Sequence, residues 1–221
     1  MSIALPLTLG FIGGTGPEGA GLALRFAHTG HPVAIGSRSL ERAVSAAEAI
    51  NQRLGGSLAS PHDNRGAVLA SAVVFVTVPY AAQRETLAAL ADAVGERVVV
   101  STVAPLSVQK GRPFALTVPA GSAAQETQQL LPQARVTAAF HHLGAKHLAD
   151  LEHPLEGDVL VCGDDAEAKK LTMSLAGELQ ALSARDAGGL EYACYVEAFT
   201  AVLLSMNRRY GIQGGLKITG F

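Results

Sequence analysis

The sequence predicts an α/β protein with a mainly parallel sheet that carries helices on both faces. Short runs of β-branched residues alternate with segments of helical periodicity along most of the 221 residues. Hydrophobic residues make up 48% of the chain and charged residues 16%, which is enough apolar material for one sizeable core. A glycine-rich segment joins the first predicted strand to the first predicted helix. Together these features predict a doubly wound fold.

The individual elements follow from the positions of the apolar runs. Buried strands are predicted over Thr8–Ile12, Val33–Gly36, Val73–Val78, Val98–Ser101, Val136–Phe140 and Val159–Cys162. Helices are predicted over Gly19–His28, Leu40–Leu54, Ala82–Val94, Ala123–Leu131 and Ala166–Leu179. A weak further strand fits Gly56–Pro61. Because successive parallel strands need a crossover connection, strands and helices should alternate in this way.

The pattern changes after Asp186, and this divides the chain into residues 1–185 and a C-terminal segment over 186–221. One long helix is predicted from Leu190 to about Tyr210. It is apolar on nearly every side, so it must be buried. A second subunit is its expected cover, which predicts a homodimer. Glu197 lies within this helix and either has a buried partner or faces the edge of a half-exposed helix.

Composition excludes several classes of protein. The formal net charge of -2 argues against nucleic acid as a partner. Cys162 and Cys194 lack metal-ligand spacing and are expected to be reduced thiols of a cytoplasmic protein, with no metal site. The N-terminus has no basic region typical of a signal peptide, and the longest apolar stretch, Ala193–Met206, is too short to span a membrane.

The glycine-rich segment matches the dinucleotide-binding pattern G-x-G-x-x-G. Its residues are Gly14, Thr15, Gly16, Pro17, Glu18 and Gly19. Gly14 allows a tight turn, Gly16 allows close approach of a pyrophosphate, and Gly19 allows helix and strand to pack closely. Pro17 suits the first turn of a helix, whose free N–H groups face the phosphates. The segment predicts a Rossmann-type nucleotide site, and an ordinary glycine-rich turn is the alternative.

The end of the second strand favours NADP over NAD. An NAD site usually has an acidic residue there that binds the ribose 2′-hydroxyl. This chain instead has Ser37 and Arg38, with Arg42 one helical turn later. A hydroxyl and two guanidinium groups suit a 2′-phosphate. Val78 and Pro79, at the end of a later strand, are expected to pack near the nicotinamide ribose.

Several segments together resemble the F420-dependent NADP reductase family, over nearly the whole chain. The resemblance rests on GGTGPEG, GSR followed by a basic residue, VTVPY, VVSTVAP, AAFHHLGA, VCGDD, DAGGLE and the tail GGLKITG. The combination of VCGDD, DAGGLE and the tail is more specific than the glycine loop. Two residues depart from the family pattern: Tyr80 stands where Trp is common, and Gly144 where Pro is common.

The resemblance implies a function and a set of site residues. It implies hydride exchange between NADP(H) and the deazaflavin coenzyme F420, both small-molecule cofactors that act as substrates. The two rings would meet at His141 and Leu143, and the segment over 186–221 would help to cover the deazaflavin. NADP would lie on Thr15, Pro17, Glu18, Ser37, Arg38 and Arg42, with Val78 and Pro79 beneath it. Ala145, from AAFHHLGA, is a further cofactor-binding residue. In the tail, Gly215, Leu216 and Lys217 would help to cover the deazaflavin.

The residues themselves leave other functions open. Such a reaction needs no nucleophile, because the cofactors carry the chemistry, and the sequence shows no catalytic triad. His141 either binds a ring carbonyl or closes a buried strand end. A hydroxyacid, imine or prephenate dehydrogenase would need a larger helical domain than the residues after Asp186 supply. A flavin or ferric reductase, or an NADP sensor without turnover, also fits the nucleotide pattern.

Overall fold

The computed structural model describes residues 6–220, so the first five residues of the predicted N-terminal domain and Phe221 lie outside the described residues. Within that range the strands are β1 Leu9–Ile12, β2 Val33–Ser37, β3 Ala59–Asp63, β4 Val73–Val76, β5 Val98–Ser101, β6 Leu106–Gln109, β7 Arg112–Ala115, β8 Arg135–Ala138, β9 Gly157–Gly163 and β10 Leu182–Asp186. The helices are α1 Pro17–His28, α2 Leu40–Leu54, α3 Asn64–Leu69, α4 Tyr80–Ala88, α5 Ala91–Val94, α6 Ala123–Leu130, α7 Ala145–Ala149, α8 Ala166–Glu178 and α9 Ala193–Tyr210. A 3₁₀ turn, Leu190–Tyr192, precedes α9.

Eight strands form one twisted sheet in the order β10-β9-β8-β5-β4-β1-β2-β3. Every neighbouring pair is parallel except β8 and β9, which are antiparallel. The strand order reverses between β1 and β4, and ligands bind at such a switch point, beyond the carboxyl ends of the strands. The structure therefore confirms the expected Rossmann-type, mainly parallel sheet and fixes where its ligand crevice lies.

Side chains that alternate along the central strands build one apolar core on each face of the sheet. Phe11 and Phe75 stack 4.9 Å apart on one face, and Phe26 and Phe140 pack against them. The residues next to them, such as Ile12, point into the core on the opposite face. Strands that are buried on both faces read as continuous apolar runs, which is why the sequence located them.

The differences from the predicted elements fall where the apolar signal is weak. The strand β10 has one buried residue, Leu182, and lies at the sheet edge, so its sequence does not alternate clearly. The hairpin β6–β7 lies outside the main sheet and is largely exposed. The short helices α3 and α7 were also missed. The predicted helix Ala82–Val94 is two helices, because the chain leaves helical geometry around Leu90, whose side chain enters the core.

The loop after α7 is fixed by the buried guanidinium of Arg25 on α1. Its Nε donates to the Leu148 carbonyl at 3.0 Å, and its Nη2 donates to the carbonyls of His147, Asp150 and His153. Gly21, which like Arg25 is on α1, faces Leu148 of α7. A Cβ on Gly21 would lie 2.6 Å from the Leu148 Cβ. Charge-assisted bonds and close packing therefore hold α7 against α1, beside the ligand crevice.

The helix α9 is tied to α6 by Glu197, a residue that is 2% exposed. Its carboxylate accepts hydrogen bonds from the amides of Ala123 and Ala124, at 2.8 and 3.0 Å. These are free N–H groups of the first turn of α6, and they require an acceptor. Burial raises the pKa of Glu197 to about 7, and the two amide bonds oppose this rise. Glu197 therefore has a buried partner and is not an edge residue.

Replacing Glu197 by glutamine is expected to lower the free energy of unfolding by about 1–3 kcal/mol. A glutamine side chain has one carbonyl oxygen, which can accept from one of the two backbone amides. Its NH₂ group would then face the second amide, which is also a donor. Urea unfolding followed by circular dichroism measures the loss. Glu167→Gln, an exposed acid on α8, is the matched control and should change stability by less than about 0.5 kcal/mol. Equal stability of the two variants would contradict the capping role.

Candidate functional site

A cleft of about 860 Å³ opens at the switch point of the sheet, over the carboxyl ends of β1, β2, β4 and β5. All the sequence-predicted site residues line it except Gly14, Gly19 and Leu216. Gly14 and Gly19 belong to the turn beneath the cleft, and Leu216 lines a neighbouring cavity. The fold thus brings together side chains from segments more than 100 residues apart in sequence.

The shape of the glycine turn depends on a positive φ at one residue and on close packing around three of its glycines. The residue with positive φ is Gly13, at 75°, and a Cβ there would lie 2.6 Å from Val78 Cγ1. The positive φ of the tight turn therefore lies at Gly13, one residue before the position that the sequence pattern assigned to it. Gly14 is also required, because a Cβ there would lie 2.8 Å from the Phe11 Cβ. A Cβ on Gly19 would overlap the side chain of Thr77. The space above Gly16 stays open, so a ligand can approach its backbone.

The corner of the cleft at the end of β2 gathers hydroxyl and guanidinium groups. The Ser37 hydroxyl accepts from the Ser39 amide at 3.2 Å and lies 3.5 Å from the Thr15 hydroxyl. Ser39 caps α2 by accepting from the Arg42 amide. Arg38 and Arg42 are exposed, and neither forms an ion pair with any residue in the described range. Their charges are therefore available to an anionic ligand.

The opposite end of the cleft holds a buried, neutral imidazole. His141 is 5% exposed, and neither of its ring nitrogens has a hydrogen-bond partner within residues 6–220. Burial, followed by the neighbouring His142, lowers the pKa of His141 to about 3. A buried polar group without a partner is destabilising by roughly 1–3 kcal/mol, so His141 is a strong candidate for ligand contact.

The backbone that presents His141 is strained. Phe140 has a φ of 69°, a value that is uncommon for a residue with a bulky side chain. Its ring is buried 5.8 Å from the Phe75 ring, so aromatic packing holds the backbone in this conformation. On the other side, the Thr200 hydroxyl donates to the His141 carbonyl at 3.2 Å. The core and α9 together fix the turn.

Leu143 lies between the cleft and a second cavity of about 810 Å³, because it lines both. The second cavity is bounded by the loop after β8, the residues before β9 and the C-terminal tail, which includes Leu216 and Lys217. Gly144 also lines both spaces. The two cavities therefore meet at Leu143 and Gly144.

The tail is held over the second cavity by Asp158, which is 1% exposed. The Ile218 amide donates to Asp158 Oδ2 at 2.6 Å, and the Asp158 amide donates to the Leu216 carbonyl at 2.7 Å. Arg185 and Lys217 lie 3.2 and 3.8 Å from Asp158 Oδ1. The Ile218 hydrogen bond is the main cause that lowers the pKa of Asp158. A charged, paired carboxylate thus fixes the position of Leu216.

Sequence reasoning missed several residues that line the cleft. Thr77 and Thr102 directly follow strands, and the rule that ligands bind at strand carboxyl ends could have located them. Ser39 is a helix cap that capping preferences identify. Tertiary packing brings Asn64 and Thr200 to the cleft. The Asn64 side chain accepts a hydrogen bond from the Gly13 amide at 3.2 Å. No local pattern marks those two.

Comparisons with known proteins agree with this geometry. The family model for NADP oxidoreductase, coenzyme F420-dependent, matches residues 8–105. The F420-dependent NADP reductase of Methanocaldococcus jannaschii is 36% identical over 96% of this chain and 98% of its own length. The F420-dependent NADP reductase of Methanothermobacter thermautotrophicus is 34% identical over 96% of this chain and 95% of its own length. A crystal structure from Arthrobacter sp. FB24, named as a candidate F420-dependent NADP reductase, shares the fold, with a TM-score of 0.83 and 23% identity over 97% of this chain and 100% of that one.

Proposed function

The chain belongs to the family of F420-dependent NADP reductases, and from this we infer that it transfers a hydride between NADP(H) and coenzyme F420. The observation that carries the proposal is the pair of cavities that meet at Leu143. One has the features of a dinucleotide site, and the other is large enough for a second ring. Such a reaction needs the two rings at contact distance with water excluded.

We propose that NADP(H) lies along the larger cleft. The residues fit this ligand: the space above Gly16 is open to a pyrophosphate, and the free N–H groups of α1 face it. Ser37, Arg38 and Arg42 would hold the 2′-phosphate, while Val78 and Pro79 would pack against the nicotinamide ribose. Thr15, Pro17, Glu18 and Ala145 line the path between these ends. Gly14 and Gly19 shape the turn beneath it.

We propose that the nicotinamide end of the cleft is formed by His141 and Leu143. A neutral His141 can donate one hydrogen bond and accept one, so it can bind a ring carbonyl or amide without adding charge. Leu143 supplies an apolar wall that limits how far two stacked rings can separate. Leu216, fixed through Asp158, would cover the deazaflavin from the tail side. When bound, the two cofactors supply the hydride chemistry themselves.

The test of this function is reduction of the deazaflavin by NADPH, followed at the deazaflavin absorption band. We expect turnover with coenzyme F420 and much slower reduction of a flavin or of ferric iron. Reduction of flavin or ferric iron in preference to the deazaflavin would overturn the second-substrate assignment. Tight NADPH binding without turnover of any of these acceptors would instead indicate a sensor.

We also propose that residues 186–221 form a dimerisation and cover segment. The predicted boundary falls at the end of β10, and α9 then runs along one side of the domain. Within one chain α9 is only partly buried, and one of its faces exposes four large apolar side chains, near two more on the β6–β7 hairpin: Tyr195, Val202, Met206, Tyr210, Val108 and Phe114. Contiguous apolar patches of this kind are typical of protein interfaces. A second copy of the chain is the cover that we propose.

A double substitution, Tyr195→Glu with Val202→Glu, is expected to convert a dimer into a monomer. Two carboxylates on the apolar face would lose their hydration in the interface, which is strongly unfavourable. Light scattering at micromolar concentration measures the mass. Leu69→Glu, on an equally exposed leucine at the end of α3, is the matched control and should stay dimeric. A wild-type protein that is monomeric under these conditions would rule out the dimer.

The proposal includes a cytoplasmic location. Cys162 and Cys194 are both free, and Cys162 is buried. Free thiols persist in a reducing compartment. In the described range no helix is long and apolar enough to cross a membrane.

A further inference from the structure

The C-terminal tail, residues 211–220, forms one wall of the second cavity. Five consecutive tail residues line this space of about 810 Å³: Gln213, Gly214, Gly215, Leu216 and Lys217. The tail belongs to no strand or helix, and none of its residues is fully buried. A segment with few buried apolar contacts has low local stability, so it opens more readily than the core. What holds the tail in place therefore decides whether the second cavity is closed.

The tail is attached at two points, one at the end of α9 and one at the start of β9. At the end of α9, Asn207 accepts from two tail amides, through its carbonyl and its side chain. At the start of β9, the Asp158 amide donates to the Leu216 carbonyl at 2.7 Å, and the Ile218 amide donates to Asp158 Oδ2 at 2.6 Å. The first point continues a helix end, so the second point keeps the far part of the tail over the cavity.

The first residues of β9 are shaped to receive the tail. Gly157 has a φ of 134°, and a Cβ there would lie 2.6 Å from the Leu216 carbonyl oxygen, so the tail passes too close for a side chain. Asp158 is 1% exposed. Arg185 and Lys217 lie 3.2 and 3.8 Å from its Oδ1, which leaves Oδ2 to the tail amide. A buried carboxylate is unfavourable without such partners, so the arrangement depends on the tail being in place.

We propose that Asp158 is a positioning residue for the second substrate, which enters and leaves when the tail detaches from Asp158. The two hydrogen bonds between Asp158 and the tail are called the latch below. The proposal rests on the proposed function in one respect, namely that the second substrate occupies this cavity. With the latch closed, residues 213–217 supply a wall that excludes water from the ring. Asp158 lines neither cavity, so it acts through the tail.

The two substrates should respond differently when the latch is lost. Asp158→Ala removes the acceptor of the Ile218 amide, and we expect the KM for coenzyme F420 to rise by about tenfold or more, as for the loss of one hydrogen bond to a charged group. The KM for NADPH should change little, because no tail residue lines the larger cleft. The kcat at saturating coenzyme should also change little, since Leu143 limits the approach of the rings. Initial rates with each substrate varied in turn measure this split.

Ile218→Pro tests the same hydrogen bond without altering the buried carboxylate. Proline has no N–H, so the latch loses its donor while Asp158 keeps its ion pairs. We expect the same selective rise in the KM for coenzyme F420. Thr219→Pro is the matched control, because the Thr219 amide has no hydrogen-bond partner within residues 6–220, and it should behave as the wild type. Equal KM values for coenzyme F420 in the two proline variants would overturn the proposal.

Limited digestion with trypsin measures the latch without turnover. Trypsin cuts after Lys217, and this bond is accessible to the protease only when the Ile218 amide has left Asp158. Mass spectrometry of the full chain should show faster loss of residues 218–221 in Asp158→Ala than in the wild type or in Asp92→Ala, which removes an exposed acid on α5.

The two possible failures are distinguishable in this experiment. Equal cleavage after Lys217 in Asp158→Ala and the wild type would overturn the latch, and that comparison needs no second substrate. Faster cleavage in Asp158→Ala, together with no turnover of coenzyme F420 by the wild type, would support the latch and count against the proposed function alone.

Discussion

Replacing Arg38 by alanine is expected to raise the KM for NADPH by roughly tenfold to a hundredfold and to change the KM for NADH little. The guanidinium of Arg38 is exposed at the end of β2, free of ion pairs in the described part of the chain. One charge-assisted contact to a 2′-phosphate contributes about 1.5–3 kcal/mol. NADH has no 2′-phosphate and so loses nothing. Initial rates with each dinucleotide measure the effect.

Arg53→Ala provides the matched control for this experiment. Arg53 is an exposed arginine in the last turn of α2, the helix whose first turn carries Arg42. Its removal changes the net charge of the protein equally but lies outside the cleft, so both KM values should stay close to the wild type. Equal increases for NADPH and NADH in Arg38→Ala would show that the 2′-phosphate is bound elsewhere.

The nucleotide half of the molecule could be predicted well because its signals are local. A buried parallel strand is visible in the sequence as an apolar run, and a glycine turn has a fixed spacing. The residue types after β2 indicate whether NADP or NAD is bound. Ser37, Arg38 and Arg42 accordingly lie in one corner of the cleft. The antiparallel direction of β9 against β8 was not predictable in this way, because strand direction depends on connections and not on the apolar pattern.

The second half of the site depends on contacts that no local pattern encodes. Thr200 reaches the His141 carbonyl from 59 residues away, and Glu197 reaches α6 from more than 70. The positive φ of Phe140 follows from packing in the aromatic core. The sequence therefore indicated that His141 matters through family resemblance, whereas its neutral, unpartnered state is evident only from the folded structure.

The strain at Phe140 and the missing hydrogen-bond partners of His141 both indicate a ligand-binding site at this turn. Both features destabilise the fold, by roughly 1–3 kcal/mol each. They persist because buried aromatic contacts and the α9 hydrogen bonds hold the turn in place. Energetic cost concentrated at one turn, beside a cavity, is typical of a functional site. A ligand group that hydrogen-bonds His141 would remove part of this cost, which favours binding at this point.

Shortening Leu143 to alanine is expected to slow hydride transfer from NADPH to the deazaflavin by about a hundredfold. Leu143 lines both cavities, so its side chain limits the separation of two rings that meet there. A misplacement of about 1 Å at the reacting atoms can reduce a rate by that amount. Single-turnover absorbance measurements give the transfer rate without contributions from product release. NADP⁺ affinity, measured in parallel, should change little, because the phosphate contacts lie at the other end of the cleft.

Leu151→Ala separates this effect from a general loss of core packing. Leu151 is also partly buried against the same apolar cluster as Leu143, but it lines neither the cleft nor the second cavity. The same truncation there should lower the free energy of unfolding and leave the single-turnover rate near that of the wild type. If both variants transfer hydride equally fast, the rings do not meet at Leu143. If both are slowed equally, the effect belongs to the core, and the assignment of Leu143 to ring positioning fails.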